Sequence, residues 1–107
     1  VDNERIITYR QALDLKQRPA KLLVIGAGAI GIEFSYFFNA LGTDVTIVEM
    51  MDQILPVEDE EVSKALERNF QKSGITIKTK AGVESLQRKG ETVSALIKSQ
   101  DGSVEQW

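Results

Sequence analysis

The sequence predicts an α/β domain in which a short parallel sheet is followed by a three-stranded antiparallel meander. Two observations lead to this fold class. Short apolar runs alternate with segments of helical period from residue 8 to residue 77, which is the pattern of βαβ units. Beyond residue 80, strand-like segments follow one another with only turns between them, which favours antiparallel pairing.

The first half of the chain predicts helices and strands in alternation. A capping-box pattern opens a helix over residues 8–16, and residues 21–25 form a strand apolar enough for burial on both faces. A helix over residues 29–41 ends at Gly42, which has the position of a left-handed C-cap, and a strand over 45–48 follows. The apolar residues of this second helix recur at helical spacing and predict one packing face: Ile30, Phe34, Phe37, Phe38 and Leu41.

The second half begins with a loop over residues 52–57 and a third helix. The acidic run Glu58-Asp59-Glu60-Glu61 opens this helix, and Gly74 ends it. Acidic residues in a first turn complement the helix dipole, so the run predicts a solvated helix start in preference to a cation site. The predicted inward face of this helix comprises Val62, Ala65, Leu66, Asn69 and Phe70.

A third strand over residues 75–77 precedes the meander. The meander consists of residues 82–86, 92–99 and 103–107, with turns at Lys89-Gly90 and Asp101-Gly102. Residues 93–98 place side chains alternately on the two faces, which predicts one packed face and one wetter face.

Length and composition limit what the chain does. Its 107 residues suit one domain over 1–107, and the first residue is Val, so we expect a piece of a larger protein. The net charge of −3 gives no electrostatic reason for a nucleic-acid or anionic membrane partner. Without Cys or His, we expect no disulfide, thiolate nucleophile, imidazole base or metal site of that type. No apolar run of membrane-spanning length or signal peptide is visible, so we expect a cytoplasmic protein.

A glycine motif between the first strand and the second helix carries the functional prediction. Gly26-Ala27-Gly28-Ala29-Ile30-Gly31 follows the apolar run, and Glu49 ends the next run eighteen positions after Gly31. Gly26 permits a sharp turn, Gly28 lets a pyrophosphate approach the backbone, and Gly31 lets the helix pack on the strand. The N–H groups at the helix start then bind phosphates, and Glu49 accepts hydrogen bonds from the adenosine ribose. A glycine-rich turn in an ordinary α/β unit is disfavoured, because strand, glycines, helix and acid occur in register.

These segments resemble a known family over essentially the whole chain. Residues 23–34, LVIGAGAIGIEF, and residues 45–49, VTIVE, are similar to the central domain of the pyridine nucleotide–disulfide oxidoreductases. Residues 52–56, with Asp59 soon after, favour the members that serve 2-oxo acid dehydrogenase complexes. The resemblance implies a Rossmann-like, three-layer (ββα) NAD-binding domain with parallel strand order 3-2-1, whose last strand would follow Trp107.

The resemblance also implies a larger flavoprotein oxidoreductase around this domain. In the family, the NAD domain is inserted between two parts of an FAD-binding domain and is followed by a dimerisation domain. FAD passes electrons between a dithiol/disulfide and NAD(H), and the redox Cys pair and the catalytic His lie in those other domains. We therefore expect this chain to bind NAD(H) without catalysing the reaction alone.

Further roles follow residue by residue from the resemblance. Glu33 matches a catalytic Glu beside the nicotinamide and flavin, although spacing alone fits a solvated helix carboxylate equally well. Val83 matches a position whose backbone approaches the adenine, and a plain strand Val explains it equally. Ala29 stands where some relatives carry a larger side chain, which implies an open nicotinamide entrance. The predicted cofactor-binding set is Gly26, Ala27, Gly28, Ala29, Ile30, Gly31, Glu33, Glu49, Met50 and Val83.

Two alternatives stay open. The FAD-binding half of such an enzyme also has a glycine motif and an acid, although Glu33 and the helix before the first strand argue against it. A non-catalytic NAD-sensing module is possible, but nothing in the sequence marks its interaction surface. Because order 3-2-1 leaves residues 21–25 at an edge, we also expect the isolated chain to self-associate there.

Overall fold

A computed structural model describes residues 20–51, 53–54, 59–89 and 92–107. The predicted helix over 8–16, most of the loop over 52–57 and the turn at Gly90 lie outside the described residues. Helix and strand bounds agree closely with the predicted ones, except that β4 extends further than the predicted 82–86. The elements are β1 (Lys21–Ile25), α1 (Ala29–Ala40), β2 (Asp44–Val48), α2 (Glu60–Lys72), β3 (Thr76–Lys78), β4 (Ala81–Lys89), β5 (Thr92–Ser99) and β6 (Val104–Gln106).

The described strands form two three-stranded sheets, which confirms the predicted parallel sheet and antiparallel meander. The parallel sheet has the order β1-β2-β3, and Ile25 pairs with Val48 where β1 and β2 end. The meander has the order β4-β5-β6, with a register shift between Val83 and Ser85. Among the described residues β1 pairs only with β2, so β1 lies at an edge of the sheet.

Two apolar clusters lie on opposite faces of the parallel sheet. Val45 and Ile47 of β2 belong to the cluster shared with the helices, while Val48 belongs to the cluster shared with the meander. The first cluster comprises Ala27, Ile32, Phe38, Val45, Ile47, Ile54, Phe70 and Ile75. The second comprises Val48, Ala81 and Ile97, with Leu23, Val83 and Trp107 packed against it. Both faces of β1 are covered only in part, because its middle residues are half-buried and Lys21 and Ile25 are exposed.

The predicted packing face of α1 is partly wrong: Phe38 is buried and Phe34 half-buried, as predicted, but the rest of the face is rotated. Ile30, Phe37 and Leu41 are about half exposed, whereas Ile32, Ser35 and Phe38 are buried. The cause is Gly31, which must face the sheet for α1 to pack closely. A glycine at 31 turned inward brings residues 34, 35 and 38 inward with it and leaves 30, 37 and 41 outside.

The predicted inward face of α2 is also partly wrong. Phe70 is buried and Leu66 half-buried, as predicted, but Val62, Ala65 and Asn69 are exposed. The buried polar residue Ser63 takes their place, because its hydroxyl donates to the carbonyl of Ile54. A hydroxyl group that makes a hydrogen bond can be buried at little cost, so hydropathy alone predicted the wrong inward face for α2.

The predicted ends of α2 are confirmed. The acidic run stands at the helix start: Asp59 is the N-cap and accepts the Glu61 N–H at 2.8 Å, and Glu60 and Glu61 occupy the first turn. Gly74 follows the helix with φ +93°. The Asp101-Gly102 turn of the meander is present too, with Gly102 at φ +91°.

Candidate nucleotide-binding site

The glycine turn connects the end of β1 to the start of α1. Gly26 has φ +95°, a conformation that a side chain disfavours, and its N–H donates to the Val48 carbonyl at 2.8 Å. Gly28 is the N-cap of α1, and no side chain caps this end in the described part of the chain. The first-turn N–H groups of a helix have no intrahelical partners, so the positive end of the α1 dipole faces outward here.

Gly31 is the point at which α1 touches this turn. A Cβ atom built at position 31 would lie 2.4 Å from the Gly26 carbonyl oxygen and 3.3 Å from a Val24 methyl group. This is the close helix approach that the sequence predicts. By contrast, a Cβ at Gly28 would meet nothing within 4 Å, so the space above Gly28 is open.

Glu49 lies directly behind the glycine turn, at the end of β2. It is buried, with 8% of its surface exposed. Oε1 accepts the Ala27 N–H and Oε2 accepts the Met51 N–H, each at 2.8 Å. A carboxylate has about four acceptor positions, so these two bonds leave further positions for a ligand.

A cleft of about 600 Å³ opens beside Glu49, between the ends of β1 and β2 and the start of β4. It brings together four residues that the sequence predicts as a site: Gly26, Glu49, Met50 and Val83. Its remaining lining residues, which the sequence reasoning did not select, are Ile25, Val48, Ala81, Gly82, Glu84, Ser85 and Leu86. The lining is mainly apolar and includes two acidic residues, Glu49 and Glu84, as suits a flat ring carrying hydroxyl groups.

The other predicted residues lie outside the cleft lining. Gly28, Ala29 and Ile30 are exposed where α1 begins. Ala27 is fully buried, so its side chain is out of a ligand's reach, and its N–H is taken by Glu49. Glu33 is exposed on α1. Four of the predicted residues therefore line the cleft and Ala27 is bonded to Glu49, whereas the start of α1 and Glu33 lie outside the cleft lining.

A signal for the missed lining residues exists in the predicted topology. The strand beginning at residue 81 follows β3 directly, so its start must lie near the carboxyl end of β2, which carries Glu49. Gly82 illustrates the contact, since a Cβ there would stand 3.7 Å from the Met50 side chain.

A second cleft, of about 340 Å³, lies between β3 and β6 and is lined by hydroxyl groups and one ion pair. Lys78 and Glu105 form that pair across it. Because the cation is already matched by an anion, this cleft offers no net charge to a ligand. In the described ranges no group of three acidic side chains is arranged to hold a metal ion. None of the described helices is both long and apolar enough to cross a membrane.

The chain belongs to the pyridine nucleotide-disulphide oxidoreductase family, whose sequence model matches residues 1–106. It is similar to dihydrolipoyl dehydrogenases: 48% identical over 103 residues to that of Zymomonas mobilis and 46% over 94 residues to that of Chlorobaculum tepidum. These matches cover 96% and 88% of this chain but 22% and 20% of the relatives. The chain thus spans about a fifth of the length of these relatives.

Solved structures show the same similarity. The crystal structure of LpdA from Mycobacterium tuberculosis has a TM-score of 0.81 and 37% identity, covering 99% of this chain and 23% of that one. The water-forming NADH oxidase of Lactobacillus brevis, solved with NADH bound, has a TM-score of 0.71 and 26% identity. It covers 92% of this chain and 21% of the oxidase.

Proposed function

We propose that this chain is the NAD(H)-binding domain of a flavoprotein disulfide oxidoreductase, and that the parent enzyme is a dihydrolipoamide dehydrogenase. One observation carries the proposal: the cleft beside Glu49 joins the glycine turn, the acid and the start of β4 in one place. A second support is that the relatives at 46–48% identity are named dihydrolipoyl dehydrogenases.

The start of α1 and the neighbouring cleft each suit one part of a dinucleotide. The uncapped start of α1, with open space above Gly28, suits the pyrophosphate, because free N–H groups and the helix dipole attract anions. The free acceptor positions of Glu49 suit the two adenosine ribose hydroxyls. The apolar wall formed by Met50, Gly82 and Val83 suits the adenine ring.

In the whole protein, the proposed reaction oxidises a dithiol to a disulfide and reduces NAD⁺ to NADH with release of a proton, through FAD. When bound, the nicotinamide supplies the hydride acceptor. This chain contains no Cys, so it supplies no redox thiol, and its own residues bind and orient the nucleotide. Glu33, exposed on α1, is proposed to face the flavin domain of the parent, and a 2-oxo acid dehydrogenase complex is the proposed partner.

Calorimetric titration of the chain with NAD, NADP and FAD tests the proposal. NAD should bind most tightly, because the Glu49 carboxylate repels a 2′-phosphate and neither Met50 nor Met51 offers a guanidinium to hold one. The two hydrogen bonds from the adenosine ribose of NAD to this carboxylate contribute about 1.5–3 kcal/mol each. Tighter binding of FAD would favour the flavin half of such an enzyme, and equal binding of NADP would remove the assigned role of Glu49.

Glu33→Gln provides the matched comparison for this titration. Glu33 lies outside the cleft lining, so this substitution should leave NAD affinity within about twofold while removing the same charge as a change at Glu49. A large loss of affinity in Glu33→Gln would show that the nucleotide lies along α1 and not in the cleft.

A further inference from the structure

Glu49 makes more hydrogen bonds than a ribose acceptor requires. Beyond the two bonds of its carboxylate, its N–H donates to the Lys78 carbonyl at 2.9 Å and its carbonyl accepts the Ala81 N–H at 3.0 Å. One residue therefore joins the glycine turn, the turn after β2, the end of β3 and the start of β4. Of the two hydrogen bonds that its side chain accepts, only the one from the Ala27 N–H reaches the glycine turn.

The Ala27 contact fixes the conformation of the turn. Ala27 is 0% exposed, so water cannot replace Glu49 as the acceptor of its N–H. Glycines flank it on both sides and provide little steric restriction of their own, as the φ of +95° at Gly26 illustrates. The N–H groups of Gly26 and Ala27 tie the turn to β2, by bonds to the Val48 carbonyl and the Glu49 carboxylate, while the Gly28 carbonyl already accepts the Ile32 N–H of α1.

We infer that Glu49 is a positioning residue for the phosphates of the nucleotide as well as an acceptor for its ribose. By holding Ala27, it keeps the glycine turn in the form that presents the start of α1 to a pyrophosphate. This inference rests on the proposed function. Leucine is close to glutamate in size but has no oxygen, so Glu49→Leu removes the acceptor of both the Ala27 and the Met51 N–H, whereas glutamine would keep one oxygen that can still accept from Ala27.

The first experiment needs no nucleotide. Amide hydrogen exchange of Ala27 is measured by NMR in the wild type and in Glu49→Leu, relative to the core amide of Ile47 so that global stability cancels. We expect exchange at Ala27 to become at least about tenfold faster in the variant, as loss of one charge-assisted hydrogen bond requires. Equal relative protection in both proteins would overturn the inference.

Ser63→Ala is the control for a merely structural effect. Ser63 is buried on α2 and donates to the Ile54 carbonyl, so its substitution also removes a buried hydrogen bond, but away from the glycine turn. It should lower the melting temperature without changing the relative exchange of Ala27. A change in the relative exchange of Ala27 in this variant as large as in Glu49→Leu would mean that general loosening explains the result.

The second experiment separates phosphate from ribose by comparing NAD with 2′,3′-dideoxy-ADP, which has a pyrophosphate but neither ribose hydroxyl. If Glu49 were only a ribose acceptor, Glu49→Leu would weaken the binding of NAD without weakening that of dideoxy-ADP. We expect dideoxy-ADP to bind about tenfold more weakly, or ~1.4 kcal/mol. Removing a negative charge by itself favours an anionic ligand, so a loss cannot come from electrostatic repulsion.

The outcomes of the two experiments are distinguishable. Unchanged binding of dideoxy-ADP in Glu49→Leu, with NAD weakened, overturns the positioning role and leaves the proposed function standing. If the wild type binds neither nucleotide, the proposed function fails and the role toward phosphates fails with it, while the Ala27 exchange still reports whether Glu49 holds the turn.

Discussion

Replacing Gly31 with Ala should destabilise the fold although Ala is the better helix former. The new Cβ would stand 2.4 Å from the Gly26 carbonyl oxygen, whereas carbon and oxygen normally approach to roughly 3.3 Å. The obstructing atom is backbone, so α1 or the glycine turn must shift by about 0.9 Å. Overpacking of this kind costs about 3 kcal/mol, and the gain in helix propensity offsets about 1 kcal/mol, which leaves a net loss of about 2 kcal/mol.

Thermal unfolding followed by far-UV circular dichroism measures this loss. With an unfolding entropy of about 2.1 cal/mol/K per residue, 2 kcal/mol corresponds to a melting temperature lower by about 9 °C. Gly28→Ala is the matched control, because its Cβ meets nothing within 4 Å and its φ of −74° suits any residue. The free energy of unfolding of this control should lie within about 1 kcal/mol of that of the wild type. A Gly31→Ala protein as stable as the Gly28→Ala protein would refute the steric reasoning.

Three further predictions concern other parts of the chain. Lys80 has φ +52°, which is strained for a residue with a side chain. Lys80→Gly should raise the free energy of unfolding in urea by about 0.5 kcal/mol, because the relief of strain exceeds the entropy cost of glycine. A lower free energy of unfolding in this variant would contradict the reasoning. The Ser103 hydroxyl and N–H donate to the Asp101 carboxylate and hold its pKa below the ordinary value. The stability that this turn contributes is therefore present above the ordinary pKa and is lost as pH falls through the lowered pKa. Ser103→Ala should raise the pKa of Asp101 in an NMR titration, and an unchanged pKa would show that Ser103 does not cause the shift. Light scattering over a concentration series should show self-association through the edge of β1 that has no strand partner among the described residues. Ile25→Lys should reduce this self-association, and a strict monomer at high concentration would exclude it.

The order and type of the described elements could be predicted because each depends on local signals. Apolar runs, glycines after helices and the Asp101-Gly102 turn act within a few residues. The rotation of the helices could not be predicted in the same way. Hydropathy turned Ile30 and Phe37 inward, but the inward face of α1 is decided by the contact between Gly31 and Gly26, which exists only once the chain has folded.

For the site, too, the features set by local sequence could be predicted and those set by the folded chain could not. The motif spacing located Gly26 and Glu49, since the carboxyl ends of adjacent parallel strands meet at one edge of the sheet. It could not show that Glu49 is buried or that its carboxylate is already bonded to two N–H groups, because both depend on the turn conformations around it. Leu86 and Ser85 were missed because a register shift in β4 precedes them.

The three glycines of the motif are required for different reasons, and the difference bears on function. Gly26 is required by its positive φ and Gly31 by the lack of space for a Cβ, so the fold alone explains both. Gly28 has neither requirement, and as an N-cap it is poorer than Ser or Asp, whose side chains would bond the first-turn N–H groups of α1. The fold would therefore gain from a capping side chain such as Ser or Asp at position 28. A glycine that keeps those N–H groups uncovered at a cost in stability is what binding of an anionic group at this helix start requires.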